Sequence, residues 1–293
     1  MSAPKQDISL RGILSEARRI IKAKRNHFTI LSLILVLPYS FLLLIYPTIF
    51  PFGSQPNSTL LLGIYCIVLL VFSLSSIGTV TYSAFHGYYN RPLDLIATLK
   101  SLSSSMIPLF STTMVLQLII SLISFVVGIL AVLFYTSYNE YFTLTMILLV
   151  LITFVYVTYI QLNFFVANVV VVVESKWGYA PLKRSAYLMK GAKMVGFKMI
   201  MLGVLNSLFV WSCFLKSWKA DGDEFWVWML FRMVVGSFWM TVVLKYYLVA
   251  NVVLYIYCMK LHGELAMEIH AEEYVSLLID DNGNKSVVDV VHV

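Results

Sequence analysis

The run Tyr141-Phe142-Thr143-Leu144-Thr145-Met146-Ile147-Leu148-Leu149-Val150-Leu151-Ile152-Thr153-Phe154-Val155-Tyr156 continues to Val173 without one Asp, Glu, Lys or Arg. About 20 predominantly apolar residues in helical form cross the hydrocarbon core of a bilayer, so this stretch reads as a membrane span. It is continuously apolar, whereas a membrane β-strand is about 10 residues alternating between lipid and lumen. The class is therefore all-α. Near the end of the run stands Val166-Ala167-Asn168-Val169-Val170, and the same pentapeptide recurs as Val249-Ala250-Asn251-Val252-Val253 late in another apolar run.

Working outward, five more stretches qualify as spans: Phe28 to Phe50, Leu60 to Phe85, Met106 to Tyr135, Met194 to Leu215 and Phe225 to Tyr257. Composition agrees, with 60% apolar residues, 12% charged residues and a mean hydropathy of +0.84, against about 25% charged residues in soluble domains. Spans three, four and six are longer than the bilayer requires, which predicts tilt or kinks. Pro38 and Pro108 are the expected kink or entry points. The chain divides into a basic segment, residues 1–27, a six-helix transmembrane domain, 28–258, and an acidic tail, 259–293.

Lysine and arginine orient such a bundle, because cytoplasmic loops retain positive charge. Sixteen lie in the N-terminal segment, the loops after spans two and four, and the tail; Lys216 and Lys219 alone lie in the other connections. Both termini are expected in the cytosol. No cleavable signal peptide is evident ahead of span one. Tyr46, Tyr135, Tyr138, Trp211, Trp218, Trp226 and Trp228 supply an aromatic belt on the far side.

Leu10, Ile13, Leu14, Ala17, Ile20 and Ile21 follow the spacing of one helix face, with Arg18, Arg19, Lys22 and Arg25 elsewhere around it. That pattern predicts a helix lying in the headgroup plane, with those four residues against anionic lipid. Similar segments precede span three (Pro92 to Lys100) and span five (Pro181 to Lys190, with Lys183 and Arg184 as further lipid contacts), and proline suits both helix starts. Thr79 to Pro92 and Asn168 to Pro181 are equally spaced. The expectation is three repeats of an interfacial helix followed by two spans.

Within the membrane, Lys245 is the residue that needs a partner. A charge at such depth costs about 2.5–3.5 kcal/mol, and no span offers a nearby carboxylate. Gln161, Asn163, Asn168, Asn206 and Asn251 are the neutral candidates for an intramembrane polar site around it. Such a site would take an anion or a lipid headgroup; alternatively, Lys245 is a structural donor or snorkels along a tilted helix. Ser121, Ser124, Gly128 and Ala131 in span three, and Ser73, Ser76 and Thr79 in span two, are small residues suited to helix contacts.

Other chemistry is sparse. The three cysteines have no paired spacing, so neither zinc nor a disulfide framework is indicated; Cys258, beside Lys260, is a candidate for palmitoylation. Glu264, Glu268 and Glu272 share a helix face from which His270 falls away, so no metal site is expected. No acid, base and nucleophile constellation points to catalysis, and no cofactor is implied.

The loop after span four carries Glu174, Gly178, Ala180, Pro181, Leu182, Arg184, Ser185, Leu188, Lys190 and Gly191. This signature resembles the cytosolic loop of the glycerophosphodiester phosphodiesterase membrane-domain-like proteins, especially a plant group of six-span proteins of unassigned function. The resemblance implies a six-helix membrane module. It does not imply phosphodiesterase activity, because the chemistry of the fused relatives resides in a separate barrel, and a barrel needs about 250 residues that this chain lacks.

Three functions remain open on this reading. The preferred one is a non-enzymatic scaffold, assembly or membrane-organising factor; the others are a transporter or channel for a small anion or lipid, and an embedded lipid enzyme. The expected partners are a bilayer with an anionic cytosolic leaflet, other membrane proteins and a cytosolic ligand of the acidic tail, with no role for nucleic acid. The expected location is an endomembrane (the endoplasmic reticulum) or the plasma membrane.

Overall fold

The computed structural model describes residues 9–49, 59–91, 94–136, 142–215 and 224–264, and every regular element among them is helical. Helix α1 (Leu10–Ala23) starts where Ser9 Oγ accepts the Gly12 N–H at 3.1 Å, pairing a donor that the first turn would leave free. The chain turns at Lys24 into α2 (Arg25–Leu31), widens into a π-turn at Ser32–Val36 and resumes as α3 (Leu37–Ile49). Pro38 has no N–H and its ring would strike the carbonyl of Ile34 in a regular helix. A wider turn immediately before it relieves that clash.

The second span lies in α4 (Thr59–Tyr88) and the third in α5 (Leu95–Thr136). The segment before span three is not a separate interfacial helix. Asp94 starts α5 by accepting the Ile96 N–H on its side chain at 3.3 Å, and the helix then runs on through Pro108, since nothing between Leu95 and Pro108 breaks it. Span four comprises α6 (Phe142–Asn163) and α7 (Ala167–Glu174), separated by a break at Phe164-Phe165-Val166. After α8 (Ala180–Leu188), which has Pro181 in its first turn, come α9 (Lys193–Leu215) and α10 (Glu224–Leu261).

Six stretches of these helices are long and apolar enough to cross a membrane: Arg25–Ile45, Leu60–Tyr88, Ser105–Val132, Met146–Glu174, Lys193–Val210 and Leu230–Leu261. Their packing is uneven. In its most apolar window span six is 61% buried, span four 6% and span three not at all. Helix α10 is the central post, touching α1, α3, α4, α7, α8 and α9, while α5 and α6 form its outer flank. Ser121, Ser124 and Gly128 accordingly stay exposed, the two serines donating to the Leu118 and Ile120 carbonyls of their own helix, whereas Ser76 and Thr79 are buried.

The main core sits toward the basic end of the bundle. There Ile13, Ala17, Ile20 and Ile21 of α1 pack with Phe28, Val80, Ala84, Leu188, Met189 and the α10 run Val252 to Ile256. The apolar face of α1 is therefore covered by protein instead of lying on lipid, and each buried Ile contributes about 1.5–3 kcal/mol. Cys258 is fully buried in the same core, so it is closed to acylation. The side chains of the expected aromatic belt, and the tail beyond Glu264, lie outside the described residues.

Candidate functional site

Two polar constructions stand out, one at the basic end and one inside the bundle. The first is built by the loop signature. Glu174 ends α7, and Ser175 (φ 52) and Gly178 (φ +72) turn the chain back into α8. Pro181 and Leu188 are buried, so α8 is seated against the bundle and Arg184 faces Glu174. Arg184 Nε donates to Glu174 Oε1 at 3.2 Å, and its two terminal nitrogens grip both oxygens of Glu264, Nη1 at 3.0 Å. Glu174 also accepts from Tyr255 Oη at 3.0 Å and Lys176 Nζ at 2.7 Å.

The arrangement is a clamp in which one cation ties the end of span four to the residues following span six. The hydrogen bonds to Glu264, then those to Glu174, push the Arg184 pKa up despite partial burial. Its guanidinium is occupied by carboxylates, so the expected role as a lipid contact gives way to an internal one. Ser185 Oγ donates to Asn163 O at 2.8 Å, and Gly191 (φ +96) passes so close to α10 that a Cβ there would lie 3.0 Å from Leu261 Cδ2. Lys183 and Lys190 remain exposed, as do Arg18, Arg19, Lys22 and Arg25.

The second construction surrounds the break in span four. A broken membrane helix leaves backbone groups that only buried polar partners can satisfy. Ser185 takes up the carbonyl of Asn163, and Asn251 Nδ2 donates to that of Phe165 at 3.2 Å. The asparagine of the second pentapeptide thus braces the backbone just ahead of the first. Beside the break, a cavity of about 230 Å³ opens between α3, α4, α7 and α10. Its polar side chains are Ser73, Ser76, Asn168 and Asn251, with Tyr39 and Tyr247 alongside.

The expected polar site around Lys245 is not assembled. Asn163 Nδ2 donates to Tyr159 O at 3.0 Å, and Asn206 bonds Trp239 and Met240 farther along α9 and α10. Gln161 faces a separate groove, while Asn168 and Asn251 line the cavity without Lys245. Thr241 Oγ1 donates to Ser40 Oγ at 3.2 Å, and Lys245 lies one turn farther along α10, level with the π-turn of the antiparallel span one. Among the described residues its ammonium has no hydrogen bond or ion pair. Also among the described residues, no group of three His, Cys, Asp or Glu comes together.

Sequence reading found the loop signature and both asparagines but missed the Glu264 and Tyr255 arms of the clamp, and the cavity. Glu264 lies 80 positions from Arg184, and only its opposite charge hinted at the pairing.

Among the described residues, these features define an all-helical membrane protein with six candidate spans, centred on α10. The chain belongs to the family described as Domain of unknown function (DUF8558), whose model matches residues 53–279. No curated protein and no solved structure matches it.

Proposed function

We propose that this chain is a non-enzymatic multi-pass protein that organises the membrane around it. The observation that carries the reading is the division of labour in α1. Its apolar face is held in the protein core while Arg18, Arg19 and Lys22, with Arg25 just beyond, face outward, which makes a fixed basic platform instead of a loose surface helix. On this reading both termini are cytosolic, the basic end faces an anionic leaflet, and the acidic tail beyond the clamp is left to cytosolic partners. The likeness of the loop to the glycerophosphodiester phosphodiesterase membrane-domain-like proteins and a threefold repeat of paired spans belong to the same proposal, as does a location in an endomembrane (the endoplasmic reticulum) or the plasma membrane.

The test is lipid selectivity of the full chain reconstituted in mixed zwitterionic and anionic vesicles. A labelled anionic lipid should be enriched around the native protein and lose that enrichment when Arg18, Arg19, Lys22 and Arg25 are all changed to Gln, each residue supplying about 1 kcal/mol near the surface. Equal enrichment by both forms would remove the platform from the argument. The cavity favours a second reading, a carrier, and flux of small solutes in the same vesicles separates the two.

A further inference from the structure

Two buried side-chain oxygens, belonging to residues that line the cavity, have no partner among the described residues: Ser76 Oγ and Asn251 Oδ1. Ser76 is 1% exposed and Asn251 7%, so bulk solvent does not compensate them. An unpaired polar atom at this depth costs about 1–3 kcal/mol, and native structures retain few. Asn251 is already committed through its amide nitrogen, which holds the Phe165 carbonyl at the break. Its remaining oxygen is an acceptor only. Whatever pairs with it must present an O–H or N–H.

Charge narrows the choice. Among the described residues lining the cavity there is no Lys, Arg, Asp or Glu, so an ionic headgroup would enter without a counter-ion and keep its desolvation cost. The cavity also lies about 15 Å inside the bundle, since Asn251 is ten residues before the end of α10 at ~1.5 Å per residue. An uncharged hydroxyl reaches that depth far more cheaply than a phosphate does.

A second space adjoins the first. A groove of about 640 Å³ runs between α5, α6, α9 and α10, lined by side chains such as Leu116, Ile120, Ile200 and Val204. Phe165 and Tyr247 line both spaces, their rings edge to face with centroids 5.9 Å apart. A largely apolar groove, with Gln161 and Ser207 as its polar side chains, and a neutral polar cavity therefore share one aromatic wall, at the break in span four. Discontinuous membrane helices place binding sites in the same manner in transporters.

We propose that the cavity and groove together bind a lipid with an uncharged, hydroxyl-bearing headgroup, its O–H donating to Asn251 Oδ1 beside Ser76 and its chain lying in the groove past Phe165 and Tyr247. The inference stands apart from the basic platform, because it uses no charged residue and no part of α1.

The experiment is equilibrium binding of radiolabelled 1-oleoylglycerol to the purified full chain in nanodiscs, with native mass spectrometry for stoichiometry. One saturable site per chain is expected. Methyl oleate, which has the chain but no donor, should compete at least tenfold less well, and so should free glycerol, which has the donors but no chain. Ser76→Ala should weaken binding by about fivefold or more without lowering thermal stability, because its hydroxyl has no partner among the described residues to lose. Asn251→Leu, which removes the acceptor, should abolish saturable binding, with a lower melting point from the lost hydrogen bond to the Phe165 carbonyl, and Tyr247→Ala should admit the lipid with lower selectivity between glyceride and ester. Equal competition by methyl oleate would reduce the groove to nonspecific apolar binding. Equal competition by glycerol would make the ligand a soluble polyol. Unchanged affinity in Ser76→Ala would place the lipid elsewhere, and each of these three results overturns the proposal.

Discussion

Replacing Arg184 by methionine keeps much of the apolar stem and removes the cation that joins span four to the residues after span six. The side chains of Arg184, Glu174 and Glu264 retain 24%, 16% and 28% of their exposure, so the clamp is neither a surface pair nor a dry one. Exposed pairs contribute about 0–1 kcal/mol, whereas breaking a buried pair costs about 3–5 kcal/mol because it strands the partner charge. For this partly buried cluster about 2–3 kcal/mol is expected for Arg184→Met. Glu264→Gln should cost about 1 kcal/mol, since Arg184 still has Glu174, and Arg184→Lys should fall between, having lost the planar fork that spans both oxygens of Glu264. The assay is the unfolding equilibrium of the full chain in mixed micelles, with a double-mutant cycle. A coupling of about 1 kcal/mol or more is expected between Arg184→Met and Glu264→Gln. If Arg184→Met stays within about 0.5 kcal/mol of the native protein, or if the two changes simply add, the clamp is not holding the two spans together and the reasoning is refuted.

Other outcomes follow from single positions. Gly191→Ala should destabilise by about 1–3 kcal/mol, because φ is +96 and the new Cβ would meet Leu261; Gly178→Ala, with φ +72 and open space, should cost only the conformational part, about 1–2 kcal/mol, and thermal melting compares the two. Lys245→Met should leave stability within about 1–2 kcal/mol or raise it, since no described partner is lost; a larger loss in the same melting assay would point to an essential bond of the ammonium. Tags at either terminus should be digested by protease in intact microsomes and a tag after Gln55 protected, as sixteen basic residues against two require; a protected terminus would reverse the orientation.

The sequence alone carried the spans, because bilayer thickness sets a length that any sufficiently apolar run either meets or misses. It also marked the loop signature, since Pro181 at a helix start and Gly178 and Gly191 at turns are local requirements of the backbone. What it did not carry is the use of each polar face. The spacing of Ile13, Ala17, Ile20 and Ile21 specifies an apolar stripe, but lipid and protein satisfy such a stripe equally well by period. The choice of protein came from the space beneath α10. Likewise Asn168 and Asn251 were legible as a repeated pair, yet only the break at Phe164-Phe165-Val166 decided that one of them braces a carbonyl 86 positions away and that both line one cavity. Lys245 and the other polar residues of its supposed site are spread over several helices and levels of the bundle, and composition has no means of measuring that separation. Helical periodicity ranks residues around one axis; which axes meet, and at what height, is settled by packing among six helices at once.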